Sequence, residues 1–136
     1  MKLKFYWYIS DAYKDGLLRP ACNCMDTEKE SDESLANYLT DDGGNFYFYS
    51  VSWAEEGLRK LSLLEKNEIE RFQYVRDAWG ADFSSENVKI YSLYDDDFSM
   101  MIPLKLMKLI LLRWREFLQM KPCIETSLEI DLNHVS

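Results

Sequence analysis

The chain reads as an α+β protein. It is one two-layer domain, with a mostly antiparallel sheet of about four to five strands packed by two main helices. Three observations predict this. Segments alternating apolar and polar residues, the period of a strand, are interleaved with segments whose apolar residues recur every three to four positions, the period of a helix. Hydrophobic residues make up 47% and aromatics 15% of the composition, enough to fill a core and too much for a disordered chain. The 136 residues fit one domain on size, and no repeat or linker divides them.

In Lys2 to Ile9, Leu3, Phe5, Trp7 and Ile9 alternate with Lys2, Lys4, Tyr6 and Tyr8. This is a half-buried strand. From about residue 10 to 45 the pattern dissolves into a long irregular acidic insertion. A strand near Leu17–Cys22 and a short piece around Leu35–Leu39 are its only regular candidates. Loops of this length in a compact domain are usually functional or mobile. Asp41-Asp42-Gly43-Gly44-Asn45 is a turn cluster. Phe46 to Ser52, aromatic and β-branched, then reads as a strand.

Ser52-Trp53-Ala54-Glu55 has the form of a capping box, with Ser52 at the N-cap. Ala54, Leu58, Leu61, Leu64, Phe72, Val75 and Trp79 keep nearly one helical phase. The expected helix runs to Trp79 with Gly80 as its C-cap; a break near Glu65–Glu68 is the alternative, because so long a helix is uncommon. Val88 to Tyr94 is a further strand, and Asp95-Asp96-Asp97 its exposed end. Pro103 opens the next helix, where a missing N–H does no harm. Leu104, Met107, Leu111, Trp114 and Leu118 form its apolar stripe, widened by Leu106, Ile110 and Phe117, so it lies against a sheet. It stops before Pro122. Cys123 to Leu132 alternates as the last strand.

The charge is informative. There are 24 acidic residues against 16 basic ones, a net charge of −8. Seven acids and one base lie between Asp26 and Asp42. A nucleic-acid binder needs basic residues clustered on one face, and here they are scattered. The same balance argues against an anionic membrane surface. No apolar run approaches the ~20 residues that cross a bilayer. Asp11, Lys14 and Asp15 arrive too early for a signal-peptide core, so a cytoplasmic location is expected. Cys22, Cys24 and Cys123 are an odd set, a poor disulfide framework, and read as thiols in a reducing compartment. Cys22 and Cys24 with Cys123 and His134 make a zinc site only on paper.

Catalytic chemistry is sparse. Nucleophilic catalysis needs a nucleophile, a base and an orienting group. His134 is the only histidine and falls in the tail. Gly43-Gly44 lacks the Gly-Lys-Ser/Thr of a phosphate loop. Asp95, Asp96 and Asp97 have three readings: a solvated turn, an acidic contact patch, or a carboxylate cluster for a hard cation. Tyr6, Tyr8, Tyr47 and Tyr49 fall opposite the Phe and Trp faces of their strands, either as interface tyrosines or buried beneath a helix. Trp53, Trp79 and Trp114 read as core.

From Ser52-Trp53, through Val88-Lys89-Ile90-Tyr91-Ser92-Leu93-Tyr94 and Ile102-Pro103, to Trp114-Arg115-Glu116-Phe117-Leu118, the chain resembles small bacterial immunity proteins. These are the CdiI-type antidotes of contact-dependent growth inhibition and related polymorphic toxin systems. The similarity covers about the last two-thirds of the chain. It implies a cytoplasmic, non-enzymatic protein that needs no cofactor or metal. Its partner would be the C-terminal domain of a cognate nuclease toxin, in many such systems one that attacks tRNA. An acidic antidote suits a basic nuclease cleft, and opposite charge speeds encounter to about 10⁸–10⁹ M⁻¹s⁻¹ at low salt.

The expected partner-binding residues are Asp26, Glu28, Glu30, Asp32, Glu33, Asp41 and Asp42, with Asp95, Asp96 and Asp97 as a second patch. The competing readings are a small metal-dependent carboxylate enzyme and an acidic protein-interaction adaptor.

Overall fold

The computed structural model describes residues 1–26 and 30–134. They form three α-helices and two antiparallel sheets, in an α+β arrangement with one shared hydrophobic core. The first sheet is built from β1 (Lys2–Ile9), β2 (Leu18–Cys24) and β7 (Ser127–Asp131), in the order β2-β1-β7. The second is a meander of β3 (Arg71–Val75), β4 (Trp79–Ser84), β5 (Asn87–Ser92) and β6 (Ser99–Pro103). The helices are α1 (Ser34–Thr40), α2 (Tyr49–Glu65) and α3 (Leu104–Leu118).

The alternation in β1 holds through Trp7 and fails at Ile9, which is exposed at the strand's end. Leu3, Phe5 and Trp7 are buried and face α3, where Phe5 meets Trp114 edge-on at 4.9 Å and Trp7 stacks on Phe117 at 5.0 Å. The stripe of α3 is buried along its length, including Met107, Ile110, Leu111 and Leu118. The second sheet adds Ala81, Phe83, Val88, Ile90 and Ile102 to the same core. Helix α2 rests on β3 and α3 through Gly57. A Cβ there would come 3.1 Å from the Tyr74 ring and 3.7 Å from Leu111.

The structure corrects several local expectations. The sheet is divided in two. Helix α2 stops at Glu65, as in the broken-helix alternative, and residues 71–84 form the β3–β4 hairpin around Asp77–Ala78, closed by Arg76 N–H donating to Trp79 O at 2.8 Å. Gly80 is therefore a strand residue. Its missing side chain accommodates the Tyr91 ring, 3.0 Å from where a Cβ would stand.

Phe46–Ser52 is not a strand. Gly43 and Gly44 take φ of +64° and +80°, conformations that glycine adopts without strain. Tyr49, Ser50 and Val51 then donate to the carbonyls of Phe46, Tyr47 and Phe48, winding the chain directly into α2. Ser52 lies inside that helix, and the N-cap is Phe48, with no side-chain cap. Leu35–Leu39 is helical, Ser99–Pro103 is an additional strand, and the last strand is shorter than Cys123–Leu132, leaving Ile124 exposed. Trp114 is fully buried, whereas Trp53 and Trp79 are partly buried against the core.

Candidate functional site

Three turns converge at one end of the molecule. Asp41 is the C-cap of α1. Its Oδ2 accepts the backbone N–H groups of Ala78 (2.6 Å) and Trp79 (3.0 Å), which fixes the 41–45 turn against the β3–β4 turn. Gly43 lies beside Asp77, 3.5 Å separating its would-be Cβ from the Asp77 Cβ. Leu93 N–H donates to Ala78 O at 2.9 Å, and Phe98 meets Trp79 edge-on. The 93–97 turn thus stands against the same hairpin tip. Asp42, Asp77, Asp95, Asp96 and Asp97 are gathered on these three turns. Asp42 Oδ1 accepts from Gly44 N–H and Asp95 Oδ1 from Asp97 N–H, at 2.9 and 3.0 Å. These are local turns that leave Asp95, Asp96 and Asp97 exposed.

The other expected contact residues stand elsewhere. Asp26 lies at the start of β1, where its Oδ1 accepts from Lys2 N–H at 3.0 Å; that bond holds its carboxyl below the usual range. Asp32 is half-buried in a 3-10 turn (Glu30–Glu33), and Glu33 is the exposed residue preceding α1. Glu28, and the side chains of Glu30 and His134, lie outside the described residues. At ~3.3 Å per residue, β1 separates Asp26 from the far end of the sheet by roughly 23 Å. The expected acids among the described residues therefore do not form one surface. Asp41 and Asp42 join Asp95–Asp97, with Asp77 added, while Asp26 stands at the other end of β1 and Asp32 and Glu33 at the N-terminal end of α1.

Beside the 41–45 turn runs a groove of about 1010 Å³. One wall is the outer part of β1 and β2 with the loop between them: Tyr6, Tyr8, Tyr13, Leu17 and Arg19. The other wall is the 40–47 segment, with Asp42, Phe46 and Tyr47. Tyr47 leans inward, edge-on to Trp7 at 5.2 Å. Phe46 points out and is the centre of an aromatic knuckle: its ring lies 6.5 Å from Phe48 and 6.3 Å from Tyr49. Phe46, Phe48 and Tyr49 are 60%, 48% and 71% exposed. Tyr8 and Tyr13 are exposed as well. Contiguous exposed aromatic surface rimmed by polar groups marks interaction sites.

The strand expected over Phe46–Ser52 put both phenylalanines on an inward face. The helical turn instead splays Phe46, Phe48 and Tyr49 outward and keeps only Tyr47 half-buried. Asp77 was hidden within the expected long helix. The turn chemistry of Gly43-Gly44 was the available signal for the first correction.

Among the described residues, no three of His, Cys, Asp and Glu stand together as a metal ion would require, and no helix is long and apolar enough to cross a membrane. Cys22 is buried at 8% exposure, and burial pushes its thiol pKa far up; such a thiol is a poor nucleophile. No protein-family model, curated protein or solved structure matches the chain.

Proposed function

We propose that this chain is an immunity-type protein of the bacterial cytoplasm. It binds the nuclease domain of a cognate toxin and covers its basic cleft. The carrying observation is the exposed Phe46–Phe48–Tyr49 knuckle beside a cluster of aspartates, on a molecule of net charge −8. Aromatic anchors supply binding energy when they are desolvated at an interface centre. Flanking carboxylates steer a basic partner and reject partners of the wrong charge pattern. The division of labour follows: Asp42, Asp77 and Asp95–Asp97 govern association, and the knuckle governs dissociation. The resemblance to CdiI-type antidotes supplies the partner class, and a tRNA-cleaving toxin domain is the target it favours.

The test is reconstitution. Toxin C-terminal domains encoded beside the gene are purified and their tRNA cleavage followed as this protein is added. Loss of cleavage at one equivalent, with a co-eluting complex on a sizing column, supports the reading. Undiminished cleavage by every neighbouring domain, or turnover of a substrate by the isolated chain, contradicts it.

A further inference from the structure

The groove has a chemistry of its own. The pairing of β1 decides what β2 presents to it. Met25 N–H donates to Lys2 O, and Leu132 N–H donates to Met1 O. Since antiparallel ladders alternate, the hydrogen-bonded pairs of β1 with β2 are Lys4–Asn23, Tyr6–Ala21 and Tyr8–Arg19. Arg19, Ala21 and Asn23 therefore spend their backbone groups on β1. Leu18, Pro20 and Cys22 turn theirs to the outer edge, which is the floor of the groove. Pro20 has no N–H, so this edge is richer in acceptors than in donors. A proline here also blunts the edge against adding a complete strand.

Above that floor stand the rings of Tyr6, Tyr8, Tyr13, Phe46 and Tyr47. Asp42 is the acid of the walls. Among the described residues, Arg19 is their cation, and it is already engaged. Its Nη1 and Nη2 donate to the two Asp15 oxygens at 3.1 and 2.7 Å, and its guanidinium lies 3.9 Å from the centre of the Tyr13 ring. Aromatic faces, outward carbonyls and a carboxylate, with the resident cation neutralised, are complementary to an added cation. Arginine fits best, because its flat fork both stacks on rings and donates several hydrogen bonds.

We infer that the groove between β2 and the 40–47 segment receives an extended, arginine-bearing segment of the protein partner, the guanidinium stacking among the tyrosines and donating to the β2 edge and Asp42. This deepens the inhibitor reading and takes the partner's identity from it; the groove's preference for arginine rests on the groove alone. Such a segment would anchor beside the knuckle, so one partner spans both features.

The test uses the full chain, isotope-labelled, titrated by NMR with a blocked Gly-Arg-Gly-Arg-Gly peptide and with the same peptide carrying citrulline, the neutral isostere of arginine. Amide shifts concentrated at residues 18–22 and 45–47 are expected, with affinity about fivefold weaker for citrulline. Tyr8→Ser and Asp42→Asn should each weaken the arginine peptide by a similar factor. Both variants are built to fold, since Tyr8 is exposed and an asparagine oxygen can still accept from Gly44 N–H. Equal binding of the two peptides, shifts confined to residues 93–97, or no shift at all would overturn the inference. A captured toxin domain that binds both variants at full affinity would overturn it too, while leaving the inhibitor reading intact. Arginine-selective groove binding with no nuclease domain captured would uphold it and remove that reading.

Discussion

Arg76 shows how a single residue holds the binding end together. Its Nη1 donates to Leu39 O at 2.6 Å and Tyr38 O at 3.3 Å, the last carbonyls of α1, and its Nη2 donates to Ser50 Oγ at 2.8 Å. The guanidinium stacks 3.9 Å from the Trp53 ring. A cation at a helix C-terminus also meets the negative end of the macrodipole. Burial lowers the Arg76 pKa, with Tyr38, Asp41 and Asp42 opposing. Arg76→Ala leaves buried carbonyls without their donor and should destabilise the fold by about 2–4 kcal/mol in urea titration. Arg76→Lys loses the planar fork and the stack but keeps the charge, and should cost about half as much. A loss under ~0.5 kcal/mol for the alanine variant, the scale of an ordinary surface substitution, would show that α1 is held some other way.

At the same scale, Asp15 reports on the groove wall. Its hydrogen bonds from Arg19 and from Leu17 N–H hold its pKa at about 2, below the ordinary 3.8. A depressed carboxyl pKa means that the folded state favours the charged form. The stabilisation is present above the unfolded value and is lost as pH falls from about 4 to about 2. Asp15 is a surface residue, so the effect is screened by solvent. The carboxyl carbon followed by NMR should titrate near 2 in the native chain and clearly higher in Arg19→Gln, still short of the ordinary 3.8 because the Leu17 N–H bond remains. Identical midpoints would mean that the pair does not form in solution.

Among elements, the end of α2 decides the topology. Glu68 N–H donates to Leu63 O at 2.9 Å and Asn67 N–H to Leu64 O at 3.1 Å, with Asn67 at φ +60°. This is a Schellman motif, in which the residue after the C-cap takes the left-handed conformation. Asn67→Gly should leave stability unchanged or raise it by up to about 0.5 kcal/mol. Asn67→Val, with a β-branched side chain at that φ, should lower it by about 1–2 kcal/mol. Chemical denaturation distinguishes these outcomes, and a harmless valine would mean that the stop lies elsewhere.

Asn67 also explains what was legible in the sequence. The strand of Lys2–Ile9 and the stripe of Leu104–Leu118 were readable because burial on one face imposes a clean period. The expected helix overruns the real one because Phe72, Val75 and Trp79 keep the phase of Leu58, Leu61 and Leu64 across a break. Asn at the left-handed position was the signal that outweighed the period. Phe46–Tyr49 alternates like a strand only because four aromatics are consecutive; the left-handed Gly43 and Gly44 feed them into a helix instead. Of the expected contact acids, Asp42 and Asp95–Asp97 share an end because hairpin β3–β4 bridges them, a non-local arrangement that spacing along the chain does not encode. Asp41 has turned inward as a structural acceptor. Asp41→Ala should therefore cost stability, by about 1–3 kcal/mol for the two N–H groups left unpaired, whatever its effect on binding.

On the scale of the whole molecule, the net charge of −8 gives a long-range attraction to a basic partner, and the groove and knuckle give the short-range fit. These contributions separate by ionic strength. Surface charge acts over a Debye length of about 8 Å at physiological salt, so it shapes encounter more than residence. Contacts of buried rings are little affected by salt. The most direct measurement is stopped-flow association and dissociation with the captured nuclease domain across a salt series, using native chain, a charge-reversed variant (Asp77→Lys with Asp96→Lys) and a knuckle variant (Phe46→Ser with Tyr49→Ser). The expected result is slower, less salt-sensitive association for the first variant with dissociation unchanged, and faster dissociation for the second with association unchanged. Native rates in both variants at every salt concentration would contradict the assignment of this end of the molecule as the binding surface.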